Sequence, residues 1–99
     1  MSDLKEKLKT EIEQADWDML RVHHERGALF LVDQKLDLLD VGVAIAEDNI
    51  SLVKIWLDNK ELYQVSVEEV SEFEKNDREK LGDFIIIQPY VLLQVTKGT

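Results

Sequence analysis

The chain has 99 residues, of which 44% are hydrophobic, and its 12 basic and 21 acidic side chains give a formal net charge of −9. This length and aliphatic content predict one folded domain over 1–99 rather than a disordered chain. The absence of cysteine excludes disulfides, thiolate zinc sites and cysteine nucleophiles, and the scattered cations argue against binding to nucleic acid or to an anionic membrane.

The N-terminal residues lack the apolar segment of a signal peptide. The longest apolar runs, 41–46 and 84–87, are too short to cross a bilayer. We therefore expect a cytoplasmic protein in a reducing compartment.

Helical periodicity opens the chain. Apolar side chains recur at helical spacing and predict an amphipathic helix over 3–14: Leu4, Leu8, Ile12 and Ala15. Asp16 is suited to cap a second helix over 17–25, which Gly27 ends as a glycine after the last turn commonly does.

Two strands are predicted next. Residues 28–33 form a short apolar run, and apolar side chains alternate with small or polar ones over 39–47. These segments fit an antiparallel hairpin that turns near 33–37. A helix over 37–47 is the competing interpretation, but the Val, Ile and Gly content favours a strand.

The segment from Asp48 onward is predicted to form a helix, a short strand and a second helix. Asp48 or Asn49 caps a helix that ends near 59–60, and 62–65 fits a strand. Ser66 to Glu69 has the pattern of a capping box, in which each side chain satisfies a free N–H of the first turn. The helix that follows is expected to bury three side chains: Val67, Val70 and Phe73.

After a polar loop over 75–83, residues 84–95 predict a long apolar strand that Pro89 interrupts, because proline cannot donate to a ladder. We expect this strand at a sheet edge or a sheet junction. Both of its faces are apolar, so we expect helices of this chain to cover one face and either a second subunit or the N-terminal helix to cover the other. The expected partner is a second copy in a homodimer, or another protein.

Several stretches of the sequence are similar to a small bacterial family known as domain of unknown function 2288. The residues that carry the resemblance are Arg26-Gly27-Ala28-Leu29, Leu36-Asp37-Leu38, Val43-Ala44-Ile45-Ala46-Glu47-Asp48, Trp56-Leu57 and Ile87-Gln88-Pro89-Tyr90-Val91-Leu92. The resemblance spans nearly the whole chain. It implies a bacterial, cytosolic, single-domain protein and brings no activity, cofactor or catalytic residue with it.

Three polar sets are candidate sites. His23 and His24 are adjacent, so on a helix they point about 100° apart and are poorly placed to bind one metal. Five acidic residues flank the predicted hairpin, but their spacing matches no calcium loop and is explained by turns and caps: Asp33, Asp37, Asp40, Glu47 and Asp48.

The third set combines Arg26 with Gln88, Tyr90 and Gln94. A guanidinium beside amides can receive a carboxylate or phosphate, so these four residues are the predicted ligand-binding set. The alternative is that they hold the strand through structural hydrogen bonds. Trp17 and Trp56 fall on apolar helix faces and are expected in the core.

Together these patterns predict an α+β domain with a small antiparallel sheet of about four strands and helices packed on one face. We expect a non-enzymatic binding or regulatory module that acts through protein contacts, with no cofactor and no metal. The alternative is a small-ligand or metal-dependent enzyme that uses Arg26, Gln88, Tyr90 and the hairpin carboxylates.

Overall fold

The computed structural model describes residues 3–75 and 80–95. The elements in this part of the chain are α1 (Asp3–Lys9), β1 (Glu13–Asp16), α2 (Trp17–Glu25), β2 (Leu29–Val32), α3 (Leu38–Ala46), α4 (Ile50–Asp58), β3 (Leu62–Gln64), α5 (Val67–Lys75), β4 (Lys80–Ile87) and β5 (Tyr90–Val95). None of these helices is long and apolar enough to cross a membrane.

The strands form one five-stranded sheet in the order β1-β4-β5-β2-β3. Three of its neighbour pairs are antiparallel, whereas β2 and β5 are parallel, with Leu29 opposite Val91 and Leu31 opposite Leu93. The α+β class is therefore confirmed. The prediction of about four antiparallel strands was incomplete, because it missed β1 and the parallel pair.

Helices cover both faces of the sheet. Because side chains alternate along a strand, Leu92 packs with α1, α3 and α4 on one face, which we call the first face. Its neighbours Val91 and Leu93 pack with α2 and α5 on the second face. The expectation of helices on one face was therefore wrong: strands that are apolar on both sides need two helical layers.

The segment predicted as a strand over 39–47 is helix α3, so the helical alternative is confirmed. The Asp37 carboxylate accepts a hydrogen bond from the Leu39 N–H at 2.9 Å and caps the first turn. Gly42 faces Leu8, Ile85 and Ile87 at distances that bring the helix close to the sheet. Packing of one apolar helix face has outweighed the strand propensity of Val and Ile.

The predicted helix over 3–14 is shorter than expected. Helix α1 ends at Lys9, and residues 13–16 pair with β4 instead. Asp16 caps α2 as predicted, since its carboxylate accepts from the Met19 N–H at 3.0 Å.

Three helices end in the same way. In α2, α3 and α4 the residue after the C-cap has a positive φ: Gly27 at 71°, Asp48 at 57° and Lys60 at 59°. In each case the next residue donates its N–H to the carbonyl five positions back in the Schellman pattern, as Asn49 does to the Ala44 carbonyl at 2.8 Å. Gly27 as the terminator of α2 is therefore confirmed.

Local predictions around α5 are confirmed in part. The Ser66 hydroxyl accepts from the Glu69 N–H at 3.1 Å, and the Glu69 carboxylate accepts from the Ser66 N–H at 3.0 Å, which is the predicted capping box. Phe73 is buried, but Val67 is 82% exposed and not in the core. The predicted loop over 75–83 ends earlier, because β4 begins at Lys80, and residues 76–79 lie outside the described residues.

The predicted long strand over 84–95 is a hairpin. Ile87 pairs with Tyr90, and Gln88 and Pro89 form the turn between β4 and β5. Pro89 does stop the ladder, but β5 is the central strand, so the predicted edge position was wrong. Val91 and Leu93 are buried beneath α2 and α5, and this chain itself covers both faces of β5.

Candidate functional site

Arg26 lies at the C-terminus of α2 and is exposed. Its guanidinium nitrogen is 2.9 Å from Nδ1 of His23, one turn earlier in the helix. Burial and the positive charge of Arg26 both lower the pKa of His23, so this ring accepts the hydrogen bond in its neutral form. Arg26 therefore interacts with its own helix at the surface.

Gln94 has a structural role. Its amide nitrogen donates to the carbonyl oxygen of Asp33 at 3.1 Å and to that of Leu36 at 2.6 Å. These bonds tie the loop between β2 and α3 to the end of β5. Gln94 is four residues along β5 from Tyr90, so the two side chains lie at opposite ends of the strand.

The structure does not bring the four predicted ligand-binding residues into one site. Gln88 is exposed in the hairpin turn, and no hydrogen bond or ion pair of the described residues joins it to Arg26, Tyr90 or Gln94. Tyr90 lines the apolar groove described below, in which the other three take no part.

The five acidic residues around 33–48 are also dispersed. Asp33 and Asp37 accept backbone N–H groups in local turns and caps, and Asp40 pairs with Lys5 at 3.1 Å. Glu47 caps α3 and Asp48 follows it in the left-handed region. Over residues 3–75 and 80–95, no three His, Asp or Glu side chains are grouped closely enough to hold a metal ion.

Both tryptophans are in the core, as predicted. Trp17 is fully buried, with its ring centroid 5.4 Å from that of Phe73 and its indole N–H directed at the Glu74 carboxylate at 3.4 Å. Trp56 is buried on the first face of the sheet. Both rings therefore contribute to the hydrophobic core.

An apolar groove lies on the first face of the sheet. It has a volume of about 410 Å³ and runs between α4 and the ends of β2 and β5. Its apolar lining comprises Phe30, Ile45, Ile50, Val53, Leu57, Leu62 and Tyr90. Three polar side chains reach its rim: Asp48, Asn49 and Lys54.

The floor of the groove is aromatic. The Tyr90 ring meets the Phe30 ring edge-on, with centroids 5.7 Å apart and planes at 82°. Phe30 lies opposite Leu92 in the parallel pair, so the sheet holds it in place from below. Tyr90 remains 42% exposed and presents its ring to solvent.

Helix α4 forms the wall of the groove and is apolar around most of its circumference. Only Ser51, Lys54 and Asp58 interrupt its apolar sequence. Trp56 faces the core, whereas Ile50 is 74% exposed and Ile55 is 53% exposed. A helix that is apolar nearly all round is normally buried, so α4 is unusual on the surface of a single chain.

The sequence indicated this site only indirectly. Phe30 lies in the predicted strand over 28–33, and Ile50 and Leu57 lie in the predicted helix that ends near 59–60, on the side that also carries Trp56. The available signal was that α4 carries more apolar residues than one buried face requires. Which apolar residues of α4 stay exposed depends on where α3 and the sheet pack. Because residues 39–47 were predicted as a strand, the packing of α3 against α4 was not predicted.

Comparisons with known proteins support the same fold. Residues 3–95 match a family described as "Protein of unknown function (DUF2288)". The chain is similar to PA1075 from Pseudomonas aeruginosa, whose NMR solution structure shares 32% identity with a TM-score of 0.80 and covers 99% of this chain and 89% of that one. No curated protein matches the sequence.

Proposed function

Since the chain belongs to the DUF2288 family of proteins of unknown function, we propose its role from the groove: it is a non-enzymatic binding module whose groove receives an apolar segment of another protein. The observation that carries the proposal is the exposed apolar surface of α4 above the Phe30 and Tyr90 rings. Exposed apolar patches of this kind are typical of interaction sites.

Energetics support a protein contact. A partner that covers the exposed side chains of Ile50, Leu57 and Tyr90 removes apolar surface from water. Each Å² of apolar surface buried in this way contributes about 25 cal/mol of favourable free energy to binding. Aromatic side chains in an apolar pocket, such as Phe30 and Tyr90 here, are enriched at the centre of protein interfaces. The rim residues Asp48 and Lys54 make no ion pair within the described residues, so both charges are free to meet a partner.

The enzymatic alternative has no comparable support. It would use Arg26, Gln88, Tyr90 and the acidic residues near 33–48 together. In this fold they occupy separate positions, and most of them are engaged in caps, turns or local pairs. The groove itself has a predominantly apolar lining, which is suited to contact rather than to proton transfer.

Site-specific crosslinking tests the proposal. A photoreactive benzoylphenylalanine replaces Leu57 in the groove, and in the control it replaces Val67, which is more exposed but belongs to α5. We expect a discrete protein adduct in cells of the source organism only from position 57. The captured protein is then purified and titrated against the wild type, Leu57→Asp and Val67→Asp.

Binding that Leu57→Asp abolishes and Val67→Asp leaves intact is the expected result. Because both positions are exposed, we expect both variants to fold. Circular dichroism checks this. Identical adducts from positions 57 and 67, or none from position 57, would contradict the proposal.

A further inference from the structure

Resting on the proposed function, we infer that the segment received by the groove is a basic amphipathic helix of a partner protein. Two properties of the surface support this inference: the shape of the groove, which favours a helix, and the charge around it, which favours lysine and arginine.

The shape favours a helix over a strand. Four residues of α4 line the groove: Lys54 and the apolar residues Ile50, Val53 and Leu57, which follow the i, i+3, i+7 pattern of one helix face. A second helix packs along such a ridge with its own apolar positions at the same spacing. An extended segment that adds to a sheet needs a free strand edge. The strand residues that line the groove, Phe30, Leu62 and Tyr90, instead contribute side chains on the first face of the sheet.

The length of the site agrees with this occupant. The stripe from Ile50 to Leu57 covers about 10 Å at 1.5 Å per residue. That distance corresponds to about two turns of a docked helix, which present three or four apolar side chains. Tyr90 closes one side of the groove with an aromatic surface against which such side chains pack.

The charge favours a basic partner. Asp48 and Lys54, which have opposite charges, are the charged residues of the groove lining itself. The segment 47–61 that contains α4 adds three carboxylates and one lysine beyond the groove: Glu47, Asp58, Glu61 and Lys60. The whole chain carries a net charge of −9. A helix with cations beside its apolar stripe is attracted by this field, and the attraction raises the association rate and selects against acidic segments.

The same charge disfavours a second copy of this chain as the occupant. Two copies bring together two surfaces of the same negative sign, and like charges across an interface oppose association. A homodimer through the groove is therefore the rival outcome that the experiment must separate.

Two synthetic peptides of roughly 18 residues provide the probes, a length at which an isolated helix begins to form. Both carry the same leucine stripe, and the polar positions are lysine in one and glutamate in the other. Fluorescence anisotropy measures their binding to the wild type at low and at high salt. We expect the lysine peptide to bind about tenfold or more tightly than the glutamate peptide, and to weaken as salt screens the charges.

Two pairs of variants locate the binding. Leu57→Ser is expected to abolish binding of the lysine peptide, and the matched control Val67→Ser to retain it. Asp48→Asn, which preserves the side-chain shape and suits the left-handed backbone, is expected to weaken binding severalfold. The control Glu72→Gln removes one carboxylate from α5 and is expected to have little effect.

The alternatives give distinct results. Equal binding of both peptides that Leu57→Ser abolishes would overturn the basic partner and leave the protein-binding groove intact. Unchanged binding to Leu57→Ser, or no binding of either peptide, would overturn the docked helix, and the crosslinking experiment then decides the proposed function. Self-association of the wild type that Leu57→Ser abolishes in sedimentation experiments would assign the groove to a second copy and contradict the inference.

Discussion

Gln94 offers the sharpest test of how this fold is held together. Its amide nitrogen donates to the carbonyls of Asp33 and Leu36, and these bonds position the loop that leads into α3. Gln94→Glu keeps the size of the side chain but removes the donor. At neutral pH the introduced carboxylate faces two carbonyl oxygens and can donate to neither.

The expected loss in the free energy of unfolding follows from these contacts. Each lost hydrogen bond costs about 1 kcal/mol, and repulsion between the carboxylate and the carbonyl oxygens adds to that, for a total of about 3 kcal/mol at pH 7. In a domain of this size the melting temperature then falls by roughly 12–24 °C. Gln88→Glu in the exposed turn is the matched control, with an expected change within about 0.5 kcal/mol.

The pH dependence makes the test specific. The carbonyl oxygens favour the protonated carboxyl, so the folded state raises the pKa of the introduced group above its unfolded value. A raised pKa means that the folded state binds the proton more tightly, so the stability deficit shrinks as the pH falls through that pKa and is full at pH 7. Urea denaturation of Gln94→Glu and of the wild type at pH 7 and at pH 4 measures this difference in the free energy of unfolding. A deficit equal to that of Gln88→Glu, or one that does not shrink in acid, would refute the reasoning.

Three further predictions concern the helices and the second face of the sheet. Lys60→Gly should raise the free energy of unfolding by about 1 kcal/mol, because glycine adopts the positive φ at this position freely, whereas Lys60→Ala should bring no such gain in urea denaturation. Gly42→Ala should stabilise α3 by about 0.5–1 kcal/mol, since the added methyl group meets neighbours only at ordinary contact distance; a fall in melting temperature would show that α3 cannot accept it. Burial and the Glu69 carboxylate raise the pKa of Tyr63, so stability should fall as the pH rises from about 10 through the folded pKa. Tyr63→Phe should remove that part of the loss in alkaline denaturation, and an unchanged alkaline profile would speak against it.

Features decided by neighbouring residues were predictable from the sequence. The Asp16 cap, the Ser66 to Glu69 capping box and the Gly27 terminator each depend on hydrogen bonds within one turn of a helix. Their sequence patterns are short and complete, so they were recognised correctly. The α+β class followed from the same local alternation of helix and strand signals.

Features decided by distant residues were not predictable. The apolar residues of segment 39–47 match the spacing of a strand and also that of a helix. Only the packing of this segment against β4 and β5 selects the helix. The pairing of β1 with β4 joins segments more than 60 residues apart, so no local pattern marks 13–16 as a strand. The groove depends on the same packing, because the exposure of α4 is determined by which of its sides α3 and the sheet cover.

The strand order has a consequence for how this protein is made. The hairpin of β4 and β5 separates β1 from the pair of β2 and β3, so β1 has no neighbouring strand and β2 has only β3 until the last strands have been synthesised. A nascent chain that has not yet reached β4 holds two sets of apolar side chains without the strands that cover them. The sheet is therefore complete only after β4 and β5 have been synthesised, and a chain that stops short of β5 exposes both sets of apolar side chains to chaperones and proteases.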